Sequence, residues 1–246
     1  MSPHPEWIVP DWAAPAHVRA FVTTRAGGVS QGEFASMNLG YSSGDDPASV
    51  GRNRAILHRA LPGEPPYLRQ VHGVEVADLD RPAEGQRTAD AAVTSRAGVV
   101  AGVLTADCMP LLLTDASGSR VAVAHAGWRG MAAGVIERTV GAFRGAASDV
   151  LAWMGPTIGP DAFEVGPEVR EAFMAADPAA ASAFVPGKPG KYMADLYALA
   201  RQRLRLAGVQ AISGGGFCTF HEPERFFSYR RAAKSGRLGT FIWIER

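Results

Sequence analysis

The thirteen residues Leu111-Leu112-Leu113-Thr114-Asp115-Ala116-Ser117-Gly118-Ser119-Arg120-Val121-Ala122-Val123 decide the fold class. Two apolar runs flank Asp-Ala-Ser-Gly-Ser, whose residues favour a tight reversal, so the segment reads as a β-hairpin. Pairing Thr114 with Arg120 carries the register back until Met109 faces His125. Cys108 and His125 then leave the sheet at the same end on neighbouring strands, about 4.8 Å apart.

Outward from the hairpin, further strand-like runs fall at 18–23, 74–79, 91–94, 99–104, 150–154, 212–217, 226–229 and 240–244. Helical faces are fewer. Val50, Arg54, Leu57 and Leu61 share one after Asp46-Pro47, a capped start. Val135, Thr139, Val140 and Phe143 form a second after Gly130. Val169, Phe173 and Met174 follow Pro167, and Leu196, Leu199, Ala200 and Leu204 precede Gly208. Strands outnumber helices without regular alternation, which predicts an α+β fold, read as one domain over 1–246. The Ala-, Pro- and Gly-rich stretch Pro178–Gly190 is expected to be a mobile surface excursion, partly packed through Phe184 and Val185.

The chain has 246 residues, 47% of them hydrophobic and 20% charged, with net charge +1. That balance argues against nucleic acid or a membrane surface as the main partner. No targeting pattern is read in Met1–Trp12, and the most apolar stretch, 97–114, is interrupted by Asp107 and Pro110. With two cysteines the expected compartment is the reducing cytoplasm.

Three segments carry reactive side chains: Arg69-Gln70-Val71-His72-Gly73, Thr105-Ala106-Asp107-Cys108-Met109-Pro110 and Ala124-His125-Ala126-Gly127-Trp128-Arg129-Gly130. Two histidines and a cysteine are the protein ligands of one type of catalytic zinc site, with the fourth position open. Each also has an ordinary reading: a packed thiol, a core histidine satisfied by a carbonyl, a loop histidine. His72 cannot be placed by the hairpin. The other histidines, His4, His17, His58 and His221, lack such contexts, and Cys218 reads as a structural thiol. Trp128 offers a stacking face, Arg129 an oxyanion partner, and a following helix N-terminus would favour phosphate. Arg25 in a Gly-rich turn and Arg230 beside Phe226-Phe227-Ser228-Tyr229 could converge on the same cleft. No Walker loop, dinucleotide turn, HExxH helix or CxxC pair is present.

Together with Thr23–Ser30, Ser36-Met37-Asn38-Leu39-Gly40, Gly155-Pro156-Thr157-Ile158-Gly159-Pro160 and the C-terminal aromatic–arginine segment, these motifs resemble the bacterial multicopper polyphenol oxidase or laccase-domain family. Its members are regarded as purine nucleoside phosphorylases. The resemblance spans nearly the whole chain, with Met37 the one departure, where leucine is expected. It implies a layered α+β sandwich of mixed β-sheet with flanking helices, as in certain cysteine-hydrolase toxins, and His72, Cys108 and His125 as zinc ligands. It also implies phosphorolysis of adenosine, inosine, guanosine or methylthioadenosine, with some adenosine deamination. Purine nucleosides and phosphate are then the partners, and a monomer or weak homodimer is expected. On this reading Gln70 and Asp107 orient ligands or shuttle protons, and Arg129 with Arg25 or Arg230 holds phosphate. Asn38 and Trp128 complete the substrate-binding set.

Copper (Cu2+) is the alternative metal, and copper-dependent polyphenol oxidation an alternative activity, since His₂Cys with Met109 adjacent also suits a single copper ion. Six histidines without a His-x-His pair fall short of a multicopper centre. Two other readings use the same residues: a Cys108–His125 hydrolase acting on a peptidoglycan precursor, and a structural zinc in a binding module.

Overall fold

In the computed structural model, which describes residues 4–245, the hairpin strands β5 (Met109–Asp115) and β6 (Val121–Ala126) are buried on both faces over nearly their whole length. That burial explains why they read as unbroken apolar runs rather than alternating ones. Their register pairs Thr114 with Val121 and Pro110 with His125, one residue away from the expected pairing. The cause is Asp115. It stays in the ladder, where its amide donates to the Arg120 carbonyl. Its carboxylate accepts from the Ser119 amide and from the Ser117 and Ser119 hydroxyls, closing the loop one residue later.

Around this hairpin a six-stranded mixed sheet forms. On one side β5 pairs with β7 (Val150–Met154), which runs parallel to β11 (Ala211–Gly214). On the other, β6 pairs with β3 (Ala91–Thr94), which runs parallel to β2 (Val76–Asp78). A second, antiparallel sheet has the order β1 (Val18–Val22), β12 (Leu238–Ile244), β4 (Ala101–Thr105). The helices are α1 (Pro47–His58), α2 (Trp128–Ala133), α3 (Val135–Val140), α4 (Pro167–Ala176) and α5 (Leu196–Leu206). A small third sheet joins β8 (Glu164–Val165), β9 (Phe184–Pro186) and β10 (Tyr192–Ala194).

The period of two in the hairpin sorts its side chains between two cores. Met109, Leu111, Leu113, Ala122 and Ala124 pack with Met131, Val135, Ile136, Leu199 and Leu204 of the helices. Leu112, Val121 and Val123 face the three-stranded sheet, meeting Val22, Val103 and Ile242. The outer face of that sheet presents Phe21, Phe241 and Trp243 to Leu57 of α1 and to Leu61. The result is four layers, helix–sheet–sheet–helix, in which each fully buried large aliphatic or aromatic chain contributes about 1.5–3 kcal/mol. This is the α+β sandwich expected from sequence.

Three local readings are corrected. Phe226–Tyr229 is a loop instead of a strand, buried over Phe226–Ser228 and exposed at Tyr229. Its backbone groups find local partners instead of a ladder: the Phe226 amide donates to the Glu222 carbonyl, the Phe226 carbonyl accepts from Arg231, and the Ser228 carbonyl accepts from the Ala232 amide. The helix expected after Gly130 starts earlier, at Trp128, and breaks where Gly134 adopts φ 103°. The strand expected to reach Phe217 stops at Gly214, because Gly214, Gly215 and Gly216 all have positive φ. Within Pro178–Gly190, Ala180, Ala183 and Phe184 are buried and Val185 is exposed. No described helix is long and apolar enough to cross a membrane. Of Met1–Trp12, residues 1–3 lie outside the described residues.

Candidate metal centre and its cleft

Cys108 immediately precedes β5 and His125 sits near the end of β6, so the hairpin alone brings them to one end of the six-stranded sheet. His72 arrives by a different route. The segment before β2 runs beside the one before β3 through a bridge between Arg69 and Thr88. The 71–73 turn thereby hangs over the start of β3. The ligand atoms of His72, Cys108 and His125 all lie within 4.8 Å of one another. Cys108 Sγ is 3.7 Å from His72 Nε2, and the two imidazoles meet edge-on with centroids 4.7 Å apart. His125 is buried, Cys108 half-buried and His72 exposed, so the cluster opens to solvent on the His72 side.

The residue that organises this set is one the sequence reading missed, Asp90. Because Ala91 pairs with Ala124, the next pair out in this register is Asp90 with His125. The fully buried Asp90 carboxylate accepts four hydrogen bonds. Oδ1 takes His125 Nδ1 at 2.8 Å and the His72 amide at 2.9 Å. Oδ2 takes the amides of Val71 at 3.1 Å and Gly73 at 2.7 Å. One side chain therefore fixes the orientation of one ligand and the backbone of another. Its sequence signal is a lone acid, Ala89-Asp90-Ala91-Ala92-Val93, at the head of an apolar strand. Burial would raise the Asp90 pKa, but the bonds from His125, Gly73 and Val71 hold it below the usual carboxylate range.

Burial likewise opposes ionisation of Cys108, yet the facing His125 and His72 reverse it and draw the thiol down to about 6. For His125, burial favours the neutral ring, and the Cys108 sulfur and Asp90 outweigh it, raising the imidazole to about 9. This donor set fits a metal ion. The sulfur ionises readily, and Asp90 occupies His125 Nδ1, which leaves Nε2 as the ligating atom. Gly127 gives the room: a Cβ there would stand 2.7 Å from His72 Cδ2 and 2.9 Å from Cys108 Sγ. Gly130 similarly admits the Gly73 carbonyl, which a Cβ would meet at 2.8 Å. The only described non-glycine residues with positive φ, His72 at 58° and Asp107 at 81°, both belong to this centre, where strain of this kind tends to collect.

The remaining candidates divide by what they touch. Gln70 is committed to backbone, its amide nitrogen donating to the Leu104 carbonyl and its oxygen accepting from the Leu104 amide, both at 2.8 Å. Asp107 accepts from Thr219 Oγ1 at 2.6 Å and from the Arg230 amide at 2.7 Å, drawing the 219 and 230 segments over the cleft. Asn38 is fully buried and bonded to Ser43, Asp45, Gly40 and Arg237, with no edge turned to a ligand. Arg25 donates to the carbonyls of Ala35 and Pro223. Arg230 donates to the Glu164 carbonyl and lies over Phe163. Arg129 is exposed with its guanidinium 4.5 Å from the Trp128 ring. Met109 is packed into the helix-side core. The half-buried Cys218 accepts the amides of Gly159 and His221 through sulfur. Arg237, the residue just before β12, lies within the C-terminal motif but was not among the expected site residues.

A layered sandwich with a His₂Cys set at one sheet end defines the class, and the sequence comparisons agree. The chain belongs to the family described as multi-copper polyphenol oxidoreductase laccase, matched over residues 19–245. It is 54% identical over 240 residues to a Pseudomonas aeruginosa purine nucleoside phosphorylase, covering 97% of this chain and 98% of that one. It is 50% identical to the Escherichia coli purine nucleoside phosphorylase YfiH, covering 96% and 98%. The crystal structure of a Neisseria meningitidis protein superposes with TM-score 0.93 at 44% identity, covering 98% of this chain and 100% of that chain. That of YlmD from Geobacillus stearothermophilus gives 0.87 at 33%, covering 94% and 93%.

Proposed function

We propose that this chain is a zinc-dependent purine nucleoside phosphorylase. It would cleave adenosine, inosine, guanosine or methylthioadenosine with phosphate to the free base and the (methylthio)ribose 1-phosphate. The observation that carries this reading is the convergence of His72, Cys108 and His125 within 4.8 Å, with one side open, in a chain so similar to relatives named for that activity. Three protein ligands leave a coordination position free, as catalytic rather than structural sites do.

Bound zinc would supply Lewis acidity and a lowered pKa for water, chemistry that also suits a side activity of adenosine deamination. The Cys108 thiolate and the two imidazoles hold the ion, and Asp90 keeps His125 and the 71–73 turn in place for it. Trp128 offers an apolar face to the base, stiffened by Arg129 stacked on it. Gln70 and Asp107 act as positioning residues, the first on β4 and the second on the 219–230 segment. The chain works as one domain, a monomer or weak homodimer in the cytoplasm, with small-molecule partners and no nucleic acid.

A second reading is favoured by one observation: Cys108, His125 and Asp90 also form a thiol, base and orienting carboxylate in the order a Cys–His hydrolase needs. The test is a chromatographic product assay on zinc-loaded protein with adenosine, with and without phosphate. Adenine that forms only with phosphate, and is lost in Cys108→Ala, is the expected result. Inosine without adenine would point to a deaminase. No product from adenosine or inosine would move the hydrolase reading to first place.

A further inference from the structure

Phosphorolysis brings an oxyanion to the reacting centre, where a fixed cation or hydrogen-bond donor can meet it. Arg237 is placed close by. It is the residue just before β12, and the register Leu238 to Thr105 places it beside Ala106, two residues before Cys108. Burial holds its pKa below the ordinary arginine value, against the opposing pull of Cys108, Asp107 and Tyr229.

Its guanidinium is held from one side only. Nη1 donates to the carbonyls of Ser235 at 2.7 Å and Gly236 at 3.1 Å. Among the described residues Nε and Nη2 have no protein partner, which leaves one edge of the fork open. The stem is fixed as well. The Arg237 amide donates to Asn38 Oδ1 at 2.8 Å, and its arm crosses Gly40, where a Cβ would stand only 2.6 Å from Arg237 Cγ. Asn38, which touches no ligand, thus acts on the cleft by placing this arginine. By contrast, the Arg25 and Arg231 guanidinium groups each donate to carbonyls from two or more segments, and Arg129 leans out over Trp128. A planar, partly desolvated fork with one free edge suits two oxygens of a tetrahedral oxyanion.

We infer that Arg237 is the phosphate-binding cation of this site, taking two oxygens of inorganic phosphate on its Nε–Nη2 edge beside the His72–Cys108–His125 cluster. The inference rests on the phosphorylase reading for its choice of anion. It is tested by titration calorimetry with inorganic phosphate at fixed ionic strength, together with the phosphate and nucleoside KM values, for wild type, Arg237→Gln, Arg237→Lys and Gly40→Ala. Saturable phosphate binding is expected in wild type, weakened at least tenfold in Arg237→Gln and partly restored in Arg237→Lys. Phosphate KM should rise alongside, with nucleoside KM and metal content unchanged. Gly40→Ala, which keeps the charge and displaces the arm, should weaken phosphate in the same direction and serves if Arg237→Gln does not fold. Undiminished phosphate affinity in Arg237→Gln, or no saturable binding in wild type, would overturn the assignment. Phosphate binding lost in Arg237→Gln without any phosphorolysis in wild type would sink the reaction and keep the anion site.

Discussion

Replacing Asp90 with asparagine tests the organisation of the centre directly. The carboxylate accepts two hydrogen bonds on each oxygen, from His125 and His72 on one and from Val71 and Gly73 on the other. An amide keeps one acceptor oxygen and turns an N–H₂ group on the other pair, so two of the four donors face a donor whichever way it flips. Each buried donor left without a partner costs about 1–3 kcal/mol, so a net loss of about 3 kcal/mol is expected after relaxation. In a domain of this size that lowers Tm by about 6–12 °C. Loss of the partner that orients His125 should also weaken metal binding by about 10–100-fold. Differential scanning calorimetry on metal-free protein reads the first effect, and competition with a chelator reads the second. Because the Asp90 pKa is depressed in the fold, its contribution is complete above the ordinary carboxylate pKa. It disappears as pH falls through the folded value, so wild type and Asp90→Asn should converge in acid. A Tm within about 2 °C of wild type at neutral pH, with equal chelator competition, would show that Asp90 does not organise the site.

Two further outcomes follow from the same geometry. In metal-free protein, iodoacetamide should modify Cys108 with a half-maximal rate near pH 6, since the thiolate persists above that value, and metal loading should block the reaction; a midpoint in the ordinary thiol range would remove the imidazoles as its cause. Gly127→Ala puts a methyl group 2.7 Å from His72 Cδ2 and 2.9 Å from Cys108 Sγ. It should cost about 1–3 kcal/mol of overpacking and sharply reduce metal content, and full metal occupancy in that variant would mean the ligands have more room than the backbone shows.

What could be read in the sequence tracks sequence separation. Cys108 and His125 were placed together because a single hairpin joins them, and an error of one residue in register left both at the same end. His72 depends on a parallel alignment with residues 87–91, and nothing local in Gln70-Val71-His72-Gly73 announces it. Asp90 carries no local signal beyond a lone acid before an apolar strand, because its four donors come from two other segments, 71–73 and His125. Arg237 was hidden for a related reason: its neighbours at 38–40 and beside Ala106 come from segments far apart in the chain. Of the arginines singled out in the sequence, Arg25 and Arg230 donate to carbonyls, whereas Arg129 lies exposed over Trp128. At Phe226–Tyr229 the aromatic run of a strand was present, but local partners, Glu222, Arg231 and Ala232, take its backbone groups in place of a ladder.

His72, Cys108 and His125 sit at one end of the six-stranded sheet, exposed, half-buried and buried in turn, while aliphatic and aromatic side chains fill the spaces between the layers. The ligands hang from the rim of a framework whose large apolar cores lie between the layers, unlike a zinc finger, whose fold is the metal's doing. Chemistry and foldability are therefore separable under selection here. A lineage can lose Cys108 and keep a stable scaffold free to acquire a new binding role, or change the metal it carries without redesigning the core.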